Sequence, residues 1–137
     1  MESRFKRKID SLDDIFEFLR RFFVENGLSG SLLFPVNLAV EELFTNMVKY
    51  NFGNKNDIPI ALELQGNRLI VTLRDIDVEP FDVSRFEKTD QDVSIKESRV
   101  GGWGLQLVKR IMDNIDYQYR DRISTITLTK ELENSNA

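Results

Sequence analysis

Near the middle of this chain the apolar residues change period from that of a helix to that of a strand, and that change constrains the fold more than any other feature. Val36, Ala39, Val40, Leu43, Met47 and Val48 recur at the spacing of one helix face. Ile58, Ile60, Leu62 and Leu64 then alternate cleanly, as a half-buried strand does. The helix is expected over Phe34 to Tyr50, with Pro35 in its first turn, where a missing N–H is tolerated. Gln65-Gly66-Asn67 makes a hairpin turn, and Leu69-Ile70-Val71-Thr72-Leu73 is the returning strand.

The flanks repeat the theme. Leu12, Ile15, Phe16, Leu19, Phe22 and Phe23 fall at helical spacing, behind an N-cap at Asp10 or Ser11 and ahead of a stop at Asn26-Gly27. A short leading strand is expected over Arg4 to Ile9. A third helix has an apolar face of Leu105, Val108, Ile111, Met112 and Ile115, and strands Tyr117 to Arg120 and Ser124 to Thr129 follow, joined by Asp121-Arg122. Between Asp75 and Val100 the periodicity is lost, a length that marks a lid or a loop inside a compact domain. Two hairpins separated by helices give an α/β (α+β) two-layer sandwich. Its sheet is mixed, mostly antiparallel, with helices on one face. The whole chain, 1–137, reads as one domain with a polar tail from about Glu133.

Absent residue types remove whole chemistries. The chain has 0 Cys and 0 His. That excludes disulfides, thiolate catalysis, zinc held by cysteine, Ser-His-Asp triads and phosphohistidine autokinases. A general base near neutral pH must then be a carboxylate or a lysine. A formal net charge of −4 argues against a dedicated nucleic-acid binder. No apolar run approaches the ~20 residues of a membrane span. The basic start lacks an apolar segment behind it, so a cytoplasmic location is expected.

Glu42 and Asn46 stand one helical turn apart and stack on one face. The amide oxygen of Asn46 is a hard neutral ligand suited to Mg²⁺ that also takes phosphate oxygens and water, and Glu42 can accept a proton beside it. Taken alone the pair is better explained by an exposed polar helix face. The run Gly101-Gly102-Trp103-Gly104 precedes the third helix. Unencumbered N–H groups at the positive end of a helix favour phosphate, although a helix entry needing positive φ has the same composition. No Gly-Lys-Ser/Thr follows, so it is no Walker A loop, and it lacks the earlier strand-to-helix turn of a dinucleotide fingerprint.

Ala39-Val40-Glu41-Glu42-Leu43-Phe44-Thr45-Asn46 resembles the N box of the Bergerat-fold (histidine kinase-like) ATPases, and Arg99-Val100-Gly101-Gly102-Trp103-Gly104-Leu105-Gln106-Leu107-Val108 resembles their second glycine box. The small size, Pro80-Phe81-Asp82 and Leu107-Val108-Lys109-Arg110-Ile111-Met112-Asp113 are similar to the stand-alone anti-sigma factor serine/threonine kinases of bacterial partner switching. The likeness spans about Phe5 to Leu132.

The resemblance implies ATP and Mg²⁺ as cofactors, bound between helices and sheet under a lid. Glu42 would be the base and Asn46 the magnesium ligand. Asp75 would meet the adenine amine, Gly102 and Gly104 would border the triphosphate, and Gly101, Trp103 and Leu105 would complete that box. Arg99 would offset charge on the γ-phosphate. The implied partners are a STAS-domain anti-anti-sigma factor, phosphorylated on serine or threonine, and a sigma factor. Relatives often dimerise; neither nucleic acid nor membrane is implied as a partner.

Two departures stand out. Asp75-Ile76-Asp77 replaces the usual Asp-x-Gly, placing a carboxylate where crowding of the base and repulsion of phosphates are expected, and Tyr50 stands where many relatives have histidine. The alternatives are a catalytically weakened module that regulates by sequestration, and a detached sensor-kinase catalytic domain needing a partner in trans.

Overall fold

The computed structural model describes residues 1–51, 53–79 and 103–132. In chain order the elements are β1 (Glu2–Phe5), a 3₁₀ turn (Ile9–Ser11), α1 (Leu12–Glu25), α2 (Gly30–Tyr50), β2 (Ile58–Gln65), β3 (Arg68–Ile76), α3 (Trp103–Ile111), β4 (Asn114–Arg120) and β5 (Ile123–Glu131). The strands form one five-stranded sheet in the order β1-β2-β3-β5-β4. Every pairing among the described residues is antiparallel, so no parallel pair supports the expected mixed sheet.

Register decides which side is covered. Ile60 lies opposite Leu73, Leu62 opposite Val71, and these in turn lie opposite Ile126 and Leu128. Because side chains alternate across a strand, the pairs stack on a single face. Ile126 is partly buried against them, and the others, together with Phe5, Ile58 and Leu69, form one buried cluster with Ile15, Leu19 and Phe23 of α1, Val36, Val40, Leu43 and Phe44 of α2, and Val108 of α3. The opposite face carries exposed Glu63, Asp116 and Gln118 and the Arg74–Glu2 ion pair at 3.5 Å. The helices therefore form a second layer on one side, the two-layer α+β architecture. Phe44, outside the expected stripe, is wholly buried, and truncating it to alanine is expected to cost about 3–5 kcal/mol.

Element boundaries differ from those expected where a cap or a strand partner decides them. The leading strand is Glu2–Phe5 rather than Arg4 to Ile9, because β2 starts at Ile58, opposite Phe5, and offers no partner beyond it. Helix α2 begins at Gly30, since the extended Ser29 caps it with Oγ accepting from Ser31 N–H at 3.3 Å. Pro35 thus lies inside α2, past the first turn. Ile115 belongs to β4 instead of the third helix. Lys130 Nζ donates to Ile111 O at 2.7 Å and Asp113 N–H to Thr129 O at 2.9 Å, which ends α3 against β5. At the end of α1, Gly27 sits at φ 64, the left-handed position that closes a helix, and Leu28 N–H returns to Phe23 O at 2.9 Å.

Candidate functional site

Helix α2 carries two polar pairs on opposite flanks of its buried stripe. On one flank Asn37 Nδ2 donates to Glu41 Oε1 at 3.1 Å, while Asn37 Oδ1 is buried without a partner. On the other, Glu42 and Asn46 are half-buried, and neither side chain has a hydrogen-bond partner among the described residues. The two neighbouring glutamates are thereby distinguished: Glu41 is committed within its own helix, and Glu42 is available to a ligand. Helix α3 packs along α2, so the start of α3 at Trp103 belongs to the helix pair that carries Glu42 and Asn46.

Asp75 closes the inner face of β3 and is almost completely buried. Arg7 Nη2 donates to its Oδ1 at 2.5 Å and Asn51 Nδ2 to its Oδ2 at 2.8 Å. Asn51 is the C-cap of α2, so this bond joins the carboxylate to the end of the helix that bears Asn46. At a rise of 1.5 Å per residue, Asn46 lies about 7.5 Å along the axis from Asn51. Desolvation pushes the Asp75 carboxyl above the ordinary value of 3.8; the Arg7 hydrogen bond and charge, then Asn51, pull the other way without offsetting it. Ser124, buried and polar, is the ladder partner of Asp75 on β5 and lies 3.3 Å, Oγ to OH, from Tyr117.

Beyond β3 the chain is held to the β4–β5 turn. Asp77 has φ 61, the left-handed region that the glycine of the usual Asp-x-Gly would occupy freely. Its exposed carboxylate accepts from Arg122 Nε at 2.8 Å, and Arg122 Nη1 donates to Glu79 Oε1 at 3.1 Å. Val78 N–H bonds Arg122 O at 2.9 Å, Tyr119 OH bonds Val78 O at 2.7 Å, and Asn54 Nδ2 bonds Ile76 O at 2.6 Å. The carboxylate at the glycine position is thus paired with a turn arginine.

The structure brings Asp75 to the end of the helix that carries Glu42 and Asn46, and packs α3 on that helix. Trp103, Gly104 and Leu105 lie within α3. Arg99, Gly101 and Gly102 fall outside the described residues, as do Pro80-Phe81-Asp82 and most of the expected lid. Sequence reasoning missed Arg7, Asn51, Ser124 and Arg122. Arg7 falls in the expected leading strand and Asn51 among the turn formers after α2, and neither position carries a local signal of its contact with Asp75.

Among the described residues no group of three or more acidic or histidine side chains gathers at one place, and no helix is long and apolar enough to cross a membrane.

Comparison with known proteins agrees with this layout. The profile of the histidine kinase-like ATPase domain matches residues 5–130. The chain is 27% identical over 117 residues to the serine/threonine-protein kinase BtrW of Bordetella bronchiseptica, covering 85% of this chain and 82% of that one. It is 30% identical over 118 residues to the serine-protein kinase RsbW of Staphylococcus aureus, covering 81% and 73%. The fold is similar to the RsbU and RsbW domains of Rv1364c from Mycobacterium tuberculosis. The TM-score there is 0.69 at 17% identity, over 96% of this chain and 32% of that longer one. It also matches the SiaB–SiaC complex of Pseudomonas aeruginosa, with TM-score 0.67, 15% identity, and 95% and 87% coverage. The chain belongs to the histidine kinase-like ATPase family, in its anti-sigma factor kinase branch.

Proposed function

We propose that this chain is an ATP-dependent serine/threonine protein kinase of the anti-sigma type, acting on a STAS-domain anti-anti-sigma partner and sequestering a sigma factor. The observation that carries the reading is the Glu42–Asn46 pair. The two residues are one turn apart and half-buried, without side-chain partners among the described residues, on the helix whose end meets Asp75. The kinases BtrW and RsbW, to which the chain is similar, support it.

Glu42 takes the proton of the attacking hydroxyl, whose oxygen bonds to the γ-phosphorus as the bond to the bridging oxygen breaks and ADP leaves. Asp75 receives the adenine amine. The backbone of Gly101, Gly102, Trp103, Gly104 and Leu105 borders the triphosphate, and Arg99 offsets charge on its outer end. The donor set suits magnesium: one uncommitted amide oxygen at Asn46 and no acidic cluster among the described residues fit an ion held mostly by phosphate oxygens and water. When bound, the ion supplies charge neutralisation at those oxygens. The assembly we expect is with protein partners, a second copy of the chain included, in the cytoplasm.

A second reading, regulation by sequestration without transfer, draws on Asp77 at the usual glycine position and on the full engagement of Asp75. Calorimetry with Mg-ATP and transfer of labelled γ-phosphate to a STAS-domain protein separate the two. ATP binding with phosphoserine or phosphothreonine on the acceptor is the kinase result; ATP binding with no label in the acceptor would overturn it in favour of sequestration. Absence of heat and of thermal shift at millimolar ATP would overturn the kinase reading and leave sequestration by occupancy alone.

A further inference from the structure

The two donors on Asp75 are not equivalent. Arg7 is tethered three ways, by Nη2 to Asp75 Oδ1 at 2.5 Å, by Nη1 to Met47 O at 3.2 Å and by Nε to Asn56 O at 3.2 Å, and its side chain is 3% exposed. Asn51 holds Asp75 Oδ2 through the one side-chain bond, at 2.8 Å, and is half-buried at the end of α2. Its backbone is fixed independently, N–H to Met47 O at 3.1 Å, so the amide can leave Asp75 by side-chain rotation while the helix end stays in place. A primary amide presents an N–H donor beside a carbonyl acceptor. The amino edge of adenine presents the same pair, a 6-amine beside an unprotonated ring nitrogen.

We propose that Asn51 is an internal competitor for the base-recognition carboxylate: its amide occupies the place on Asp75 Oδ2 that the adenine amine would take, and nucleotide entry exchanges one for the other. This inference rests on the ATP reading above. Arg7 stays in place through the exchange and leaves Asp75 with a counter-charge. The exchange swaps one neutral donor for another at a charged acceptor, so it conserves hydrogen bonds and keeps a buried carboxylate oxygen from being left bare. Asn51 therefore lowers affinity for adenine nucleotides and sets how readily the base enters.

The test is calorimetric titration of ATP into the parent chain and into Asn51→Ala, each also melted with and without ATP. Asn51→Ala is expected to bind ATP about tenfold more tightly, the scale of one hydrogen bond to a charged group. It should melt lower than the parent without nucleotide, and the gap should narrow at saturating ATP. A purely structural asparagine lowers both melts alike and leaves affinity equal or weaker; that result, with ATP binding in the parent, overturns the inference alone. ATP binding in neither protein overturns the ATP reading and this inference together. Should Asn51→Ala not fold, the side-chain amide resonances of Asn51 in the labelled parent chain decide. They are expected to move on ATP addition, and a bound nucleotide that leaves them unmoved overturns the exchange.

Discussion

Arg7 and Asp75 meet at 2.5 Å across 68 positions of sequence, with side chains only 3% and 4% exposed. Arg7 follows β1 and Asp75 lies near the end of β3, two strands that do not pair with each other. The same guanidinium reaches the carbonyl of Met47 in the last turn of α2. One cation thus joins both strands to the end of the helix on which the candidate chemistry is carried, and it neutralises the carboxylate expected to read the base.

Removing one partner of such a pair leaves a buried charge uncompensated. Arg7→Met is expected to destabilise the fold by about 3–5 kcal/mol in urea unfolding. Pairing it with Asp75→Asn removes the stranded charge, so the double variant should recover a large part of that loss. A double variant whose loss equals the sum of the single losses would mean that the two residues do not act on each other.

The direction of the Asp75 shift fixes a sign. Its carboxyl is raised above 3.8 in the folded chain, chiefly by burial. Between 3.8 and that raised value the folded chain binds the proton more readily than the unfolded chain does. The contribution of Asp75 to stability accordingly falls as pH rises through this window and is constant above it. Acidification across the window is favourable at this residue, opposite to the usual paired carboxylate. A carbon-13 titration of the Asp75 carboxyl should give a midpoint above 3.8 in the parent and higher still in Arg7→Met, where the lowering partner is gone. A midpoint at or below 3.8 in the parent would contradict the burial argument.

Glu42 and Asn46 are expected to separate in their effects. Glu42→Ala should reduce phosphate transfer by about 10²-fold or more, the scale of general base catalysis, and leave ATP affinity largely intact. Unchanged turnover would remove Glu42 as the base. Asn46→Ala should weaken ATP binding in the presence of magnesium and have little effect in its absence. Equal affinities with and without the metal in the parent chain would rule out the ligand role.

How much of this was readable in the sequence depends on how local the cause is. Glu42 and Asn46 share a helix face by the geometry of a single helix, and the β2–β3 hairpin follows from alternation plus one turn, so both were legible. Ile115 satisfies a helical period as well as a strand period. Only its pairing with Leu128 on β5 places it in β4, and a ladder partner is not a local property. The inward turn of Arg7 is set by Asp75, and the asparagines after α2 act on the end of β3, with Asn54 Nδ2 reaching Ile76 O and Asp77 O at 2.6 and 3.0 Å. These contacts depend on the finished sheet, so nothing near them in sequence announces them.

Asp77 offers a test in which backbone and charge can be pulled apart. Its φ of 61 disfavours a side chain, and its carboxylate gains only an ion pair with Arg122 in which both side chains are more than half exposed. Left-handed backbone costs a residue with a β-carbon roughly 1–2 kcal/mol, less for Asp and Asn, whereas an exposed ion pair contributes about 0–1 kcal/mol. The backbone effect should win. Asp77→Gly loses the ion pair but gains conformational ease, so its stability should stay within about 0.5 kcal/mol of the parent. Asp77→Ala loses the ion pair and keeps the strain, for a cost of about 1 kcal/mol or more. Urea unfolding of the two variants gives the order directly: Gly above Ala means that conformation at this position decides, and equal losses would assign the effect to the Arg122 contact.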